Sequence, residues 1–187
     1  MVARSKTGNL GRPVKENLRL QTLLCIVQKG WMNIDPQLKG DWFAGHWYWT
    51  NRLDYSYPNQ INSQNWYIII NFRLLNAGLP MNDDPPFEAN PANVQAFSAT
   101  QGNGHSIICS WTPTSNRIYL EIYLETGRTG QRVPFYKHAR FKARPEGSAG
   151  TCTIQPWLPG WNNIHYSTLD KLTGLVSDFA PFTLRVI

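Results

Sequence analysis

The chain has 187 residues, of which 42% are hydrophobic and 16% charged, a composition typical of an ordered protein rather than a disordered one. The net charge of +6 is uneven, because residues 1–30 carry six basic side chains against one acidic side chain, whereas residues 31–90 carry three against six. No stretch approaches the roughly 20 apolar residues that cross a bilayer, and residues 23–27 lack the flanking pattern of a signal peptide. We therefore expect no membrane association and a protein made and kept in a cytosol.

The chain begins with a polar, basic and glycine-containing stretch over residues 1–12, which predicts an extended arm. Arg4, Lys6 and Arg12, with Lys15 just beyond, are candidate contacts to an acidic protein surface or to phosphate groups. The alternative is a solvated tail with no partner.

A helical domain is predicted over residues 13–80. Its first helix covers residues 13–29, because proline suits the first helical position and Gly30 is expected to end the helix. One apolar face follows the helical spacing, formed by Leu20, Leu23, Leu24, Val27 and Trp31.

Two more helices are predicted in this domain. A short one starts at Asp35 and Pro36, with the aspartate as N-cap, and is followed by a loop over residues 47–62. The third covers residues 63–77, with Ser63 as its cap and Gly78 at its end. The β-propensity of residues 67–70 leaves a strand there as the alternative.

Residues 81–93 are acidic and rich in proline, which predicts an inter-domain linker or a strapping segment. Beyond it, β-rich runs separated by turn residues predict strands over 94–100, 106–112, 117–125, 132–143, 151–155 and 181–186. In residues 118–125, aliphatic side chains alternate with tyrosine and glutamate, as in a strand with two different faces. The expected fold class is therefore α+β, a small N-terminal helical part followed by an all-β sandwich over residues 94–187.

No sequence motif for catalysis is present. The chain has no P-loop, no dinucleotide fingerprint, no HExxH motif and no GxSxG elbow. Its four histidines are widely separated, and its three cysteines lack metal-ligand spacing and are interpreted as buried thiols. We expect no enzymatic activity, no catalytic residues, no cofactor and no metal.

Two regions of the β domain are candidate binding surfaces. Trp157 and Trp161 lie in a Pro/Gly-containing stretch and are candidate exposed contacts, and with Tyr119 and Tyr123 they suggest a platform for sugar rings. The basic residues alternate over 137–144, which suits either a polyanion-binding strand or an edge strand protected by charge.

Two resemblances follow from these motifs. Residues 97–100, 107–113 and 118–123 resemble the opening strands of immunoglobulin-like and fibronectin type III domains. The N-terminal half resembles uncharacterised proteins of phages and prophages, which pair a basic arm with a helix ending in tryptophan. Here the matching pieces are Trp31, the Ile34-Asp35-Pro36 turn, Trp42 and residues 71–80 (NFRLLNAGLP). The resemblance implies an immunoglobulin-like C-terminal domain and a virion component, such as a capsid decoration or stabilising protein.

The expected function is thus a non-catalytic structural protein of a phage or virus particle, assembled in the host cytoplasm. Its expected partners are capsid or other virion subunits, or further copies of itself. The candidate assembly contacts are Arg4, Lys6, Arg12, Lys15, Trp157 and Trp161. A carbohydrate-binding module or adhesin is the alternative, and a nucleic-acid-binding protein is the second alternative.

Overall fold

The computed structural model of the chain describes residues 14–52, 62–127, 139–155 and 160–187. They fall into two compact units divided between Phe87 and Glu88, and the described part of the first is helical whereas that of the second is built from β-strands. The mixed α+β class predicted from the sequence is confirmed. In the described ranges, no helix is long and apolar enough to cross a membrane.

Within residues 14–52 and 62–87, the first unit contains three helices in the predicted order. They are α1 (Val14–Asn33), α2 (Pro36–Arg52) and α3 (Ser63–Asn76). Asp35 caps α2 as predicted, because its Oδ1 accepts a hydrogen bond from the Gln37 amide at 2.7 Å. The strand alternative for residues 67–70 is wrong, since these residues lie within α3.

Gly30 does not end the first helix, contrary to the prediction, because α1 continues through it to Asn33. A Cβ atom at this position would lie 2.8 Å from the Tyr67 hydroxyl oxygen and 3.1 Å from Cε of Met81. Glycine therefore suits this site because α3 and the segment after it approach closely, and not because the helix ends here.

Two further boundaries differ from the prediction. Helix α2 extends to Arg52, so the loop predicted from residue 47 begins later. The N-cap of α3 is Asn62 rather than Ser63, because the Asn62 side chain accepts a hydrogen bond from the Asn65 amide at 2.8 Å. A capping side chain must reach the amide two or three residues ahead, and asparagine one position earlier meets that condition.

The start of the predicted linker packs on the helical unit as a strap. Trp42, fully buried, donates its Nε1–H to the carbonyl oxygen of Asp83 at 2.6 Å. Asn71, also fully buried, accepts from the Asn82 amide at 2.6 Å and donates to the Asn82 carbonyl at 3.0 Å. These bonds satisfy buried polar groups of α2 and α3, so residues 82–83 complete the core of this small unit.

The described residues of the second unit form two antiparallel sheets with seven strands in all. The strands are β1 (Ser98–Gln101), β2 (Ile107–Ser110), β3 (Ile118–Gly127), β4 (Arg140–Ala143), β5 (Thr151–Ile154), β6 (Gly160–Asp170) and β7 (Ala180–Val186). The smaller sheet has the order β1-β2-β5 and the larger one β4-β3-β6-β7. Side chains from both sheets share one core, in which Ile107 and Ile154 of the smaller sheet cluster with Leu120, Ile122 and Ile164 of the larger.

Strand β6 is missing from the sequence-based prediction, although it lies at the centre of the larger sheet. It pairs with β3 along ten residues and with β7 along seven. Its sequence, GWNNIHYSTLD, lacks the apolar alternation of a half-buried strand, because both of its faces carry buried polar side chains. The described part of the strand predicted over 132–143 is β4, and residues 128–138 lie outside the described residues.

Candidate functional site

Most of the predicted assembly contacts lie outside the described side chains. This applies to Arg4, Lys6, Arg12 and Trp157, and to the side chain of Lys15, whose backbone belongs to α1. Trp161 is described, and it lies in β6 rather than in the predicted loop, opposite Gly127 of β3 and Arg185 of β7. Its side chain is 41% exposed, so it remains accessible to a partner.

Helix α1 carries apolar side chains on its outer face as well as on the predicted inner face. Of the predicted inner face, Val27 is fully buried, whereas Leu24 is 38% exposed. Leu18, Cys25 and Met32, seven residues apart, form a line on the opposite side, which we call the outer row. Leu18 is 57% and Met32 74% exposed, and Cys25 is also exposed.

Other apolar side chains of the helical unit are also exposed. Ile26 of α1 and Phe43 of α2 are exposed at 43% and 65%. Single exposed apolar residues are ordinary on a protein surface, so the feature that singles out a candidate interaction surface is the alignment of the outer row on one helix face. The outer row was not predicted from the sequence, although its seven-residue spacing is present there. The apolar periodicity of the helix was assigned to the inner face alone.

The charge around the outer row is positive. Helix α1 contains Lys15, Arg19 and Lys29 against a single acidic residue, Glu16. The Arg19 guanidinium is engaged within the unit, donating to Oδ1 of Asn76 at 3.0 Å. A surface that complements this helix would therefore combine apolar side chains with carboxylates.

The polar face of the larger sheet is a second distinctive region, because it holds carboxylates away from water. Glu121 is 8% exposed, and its Oε1 lies 2.6 Å from Nη2 of Arg144 in a salt bridge. The Tyr123 hydroxyl donates to the other oxygen of Glu121 at 3.2 Å. A buried carboxylate paired in this way is costly to disrupt, which indicates a structural role for the pair.

His165 lies beside a second buried carboxylate on this face. Its Nε2 is 3.9 Å from Oε2 of Glu125, and both residues are nearly inaccessible. Burial lowers the pKa of His165, because removal from water disfavours the charged imidazolium. We therefore treat His165 as neutral at pH 7. The buried Ser167 hydroxyl, two residues along the strand, has no hydrogen-bond partner among the described residues.

This face does not form a metal centre within the described ranges, where no group of three or more His, Cys, Asp or Glu side chains has a metal-binding arrangement. Sequence reasoning did not connect Glu121, Glu125 and His165. The alternation of β3 places both glutamates on one face, but the contribution of His165 depends on the register with β6, which the sequence pattern did not reveal.

The tyrosines of the suggested sugar platform make contacts within the protein. The Lys171 ammonium lies 4.2 Å from the centre of the Tyr119 ring. Tyr123 packs edge to face against Phe141 and Phe179, with ring centres 5.6 and 5.5 Å apart. A sugar stacks on an open aromatic face, so these contacts reduce the ring area that Tyr119 and Tyr123 can offer.

The basic strand predicted over residues 137–144 forms an edge of the larger sheet where it is described, as β4. Arg140 lies opposite Leu124, and Arg144, just after the strand, is occupied by Glu121. This position favours the interpretation that charge protects an edge strand over the interpretation of a polyanion-binding surface.

No protein-family model matches the sequence, and no curated protein matches it. The proposed function therefore rests on the physical properties of the described surfaces.

Proposed function

We propose that the protein is a non-catalytic structural component of a phage or virus particle. It attaches to other virion subunits through the helical unit and acts in capsid decoration or stabilisation. In this proposal the β unit is an immunoglobulin-like domain, as the resemblance of its first strands implies. The protein would be assembled in the host cytoplasm and reside in the virion.

The observation that carries the proposal is the outer row of α1. Apolar residues seven apart on an exposed helix face suit packing against another helix or a groove, because that spacing keeps the same side of the helix towards the partner. Burying a side chain such as Met32, now 74% exposed, contributes on the order of 1.5–3 kcal/mol.

The proposed occupant of the row is an apolar surface with acidic side chains on a neighbouring virion subunit. The positive charge of α1 favours such a partner over a second copy of the same helix, which would bring like charges together. Each contact is small, but a symmetric shell repeats it many times, so avidity makes attachment stable.

The first experiment asks whether the protein occurs in particles. Particles released from cells that encode it are purified and their proteins quantified by mass spectrometry. We expect the chain in a fixed ratio to the capsid subunit. Its absence from purified particles, in cells that express it, would contradict the proposed function.

The second experiment tests the outer row with the double variant Leu18→Gln/Met32→Gln in the full chain. The matched control is Leu172→Gln, which changes a leucine of the β unit with 64% exposure. We expect the double variant to keep its circular dichroism spectrum and lose particle association, while the control still binds. If the double variant binds as well as the unchanged protein, the row is not the attachment surface. Loss of self-association in ultracentrifugation would identify a second copy as the occupant and overturn the assignment to a different subunit.

A further inference from the structure

Two of the three cysteines, distant in sequence, lie directly opposite each other in the smaller sheet. Cys109 of β2 is paired in register with Cys152 of β5, and all three cysteines are unbridged. Directly opposed residues on one face of an antiparallel pair have Cβ atoms about 4.5–5.5 Å apart. The two thiols, which we call the thiol pair, therefore share one face of the sheet.

The backbone geometry at the thiol pair is compatible with a disulfide. The Trp111 amide donates to the Gly150 carbonyl at 2.9 Å, so these opposed residues form a hydrogen-bonded pair. Such pairs recur every second residue, which places Cys109 and Cys152 at the next one, with a Cα separation of about 5.5 Å. Disulfides span Cα separations of roughly 4.4–6.8 Å. Only a small approach of the Cβ atoms is required.

The surroundings of the two thiols differ in a way that suits stepwise oxidation. Cys109 is fully buried in the shared core, whereas Cys152 is partly exposed on β5, an edge strand of its sheet. A hydrogen bond with Cys109 lowers the pKa of Cys152, and the same interaction, together with burial, raises the pKa of Cys109. Cys152 is thus both the accessible thiol and the one that more readily forms a thiolate.

We propose that the thiol pair is a reversible oxidation site that forms a disulfide between β2 and β5 when the protein leaves a reducing compartment. A small disulfide such as oxidised glutathione supplies the oxidising power. The Cys152 thiolate attacks one of its sulfurs, forming a mixed disulfide and releasing one glutathione thiolate. The Cys109 sulfur then loses its proton, attacks the Cys152 sulfur and releases the second glutathione. Two protons and two electrons pass from the thiol pair to the oxidant.

This chemistry would make the β unit respond to its environment. In a cytosol the reducing glutathione pool keeps both thiols reduced, whereas outside the cell the disulfide persists. The bond would join the edge strand β5 to the central strand β2 of the smaller sheet, and so restrain the edge from separating. The site would operate wherever the protein resides, so its test is independent of the particle assignment.

The test uses the full-length Cys25→Ser variant, which removes the exposed third thiol from helix α1 and keeps the thiol pair. The folded variant is incubated with oxidised glutathione, digested without reduction and analysed by mass spectrometry. We expect a peptide that links Cys109 to Cys152, complete loss of maleimide labelling at both positions when the oxidised protein is labelled in denaturant, and recovery of that labelling after dithiothreitol. The double variant Cys25→Ser/Cys152→Ser should give no linked peptide, and its buried Cys109 should label slowly.

Three results would overturn the proposal. One is that both thiols of the folded Cys25→Ser variant stay open to maleimide after prolonged oxidation. Another is that Cys152 accumulates as a glutathione adduct without linking to Cys109. The last is that the link forms only in denaturant, which would mean that the folded strands hold the sulfurs apart. Circular dichroism before and after oxidation establishes that the chain is folded in each reaction.

Discussion

Replacing Tyr67 by phenylalanine tests how the strap holds the helical unit. Tyr67 is fully buried, its hydroxyl donates to Oδ1 of Asp83 at 3.1 Å, and its ring packs edge to face on Trp42 with centres 5.1 Å apart. Phenylalanine keeps the ring contact and removes only the hydrogen bond. A hydrogen bond to a charged group contributes about 1.5–3 kcal/mol. Because Asp83 is exposed, we expect the free energy of unfolding to fall by about 1.5 kcal/mol, the lower end of this range. That loss corresponds to roughly tenfold faster exchange of the α3 amides.

The same substitution changes the response to alkaline pH. Burial, and next the charge of Asp83, raise the pKa of Tyr67 above its ordinary value of 10.0. The unfolded chain therefore releases this proton near pH 10 while the folded chain retains it. The stabilisation by Tyr67 is complete below about pH 10 and declines as the pH rises above it. The Tyr67→Phe variant lacks this decline, so the stability difference between the two proteins should shrink above about pH 10.

Hydrogen exchange with mass spectrometry is the assay, because it reports the α3 amides separately from those of the β unit. Tyr119→Phe, in strand β3, is the control and should leave α3 exchange unchanged. If Tyr67→Phe does not accelerate α3 exchange at neutral pH, the hydrogen bond to Asp83 does not stabilise the helical unit. If the difference from the unchanged protein is the same at about pH 11 as at pH 8, the pKa of Tyr67 does not control the alkaline response.

Two further predictions concern one glycine and one histidine. Gly30→Ala should destabilise the helical unit by about 1–3 kcal/mol, because the new methyl group would lie 2.8 Å from the Tyr67 hydroxyl oxygen. Gly40→Ala, where the methyl group meets nothing within 4 Å, should instead stabilise α2 by about 0.5–1 kcal/mol. Equal melting temperatures for the two variants in calorimetry would show that the contact with Tyr67 does not disfavour a side chain at residue 30. Burial lowers the pKa of His165, so the unfolded chain takes up a proton near pH 6.5 that the folded chain excludes, and stability should fall below that pH. His165→Gln should reduce this loss of stability at acid pH. The urea midpoint of unfolding is measured at about pH 7 and about pH 5, and an equal decrease in both proteins would mean that His165 is not the group responsible.

The helical unit was largely predictable because its signals are local. Asp35 and the proline after it define the start of α2, and the predicted inner face of α1 contains the fully buried Val27. The role of Gly30 was not predictable in this way. A glycine near the end of an apolar stripe is typical of a helix stop, and only the approach of Tyr67, far along the chain, shows that it serves packing instead.

The two candidate sites also differ in how far they depend on local sequence or on contacts between distant residues. The outer row of α1 depends on spacing within one helix, so it is present in the sequence, but its exposure depends on which face the other helices cover. The thiol pair could not be predicted, since 42 residues separate Cys109 from Cys152 and only the pairing of β2 with β5 brings them together.

By itself the sequence determined the α+β class, the three helices in order and most of the strands, because caps, turn residues and hydrophobic periodicity act over a few residues. Only the tertiary structure revealed the central strand β6, whose polar side chains are buried by neighbouring strands and whose sequence carries no strand periodicity. It also decided the strap on Trp42, the His165–Glu125 contact and the thiol pair. Each of these joins residues from separate elements, and a register between distant strands is set by the packing of the whole unit rather than by any local pattern.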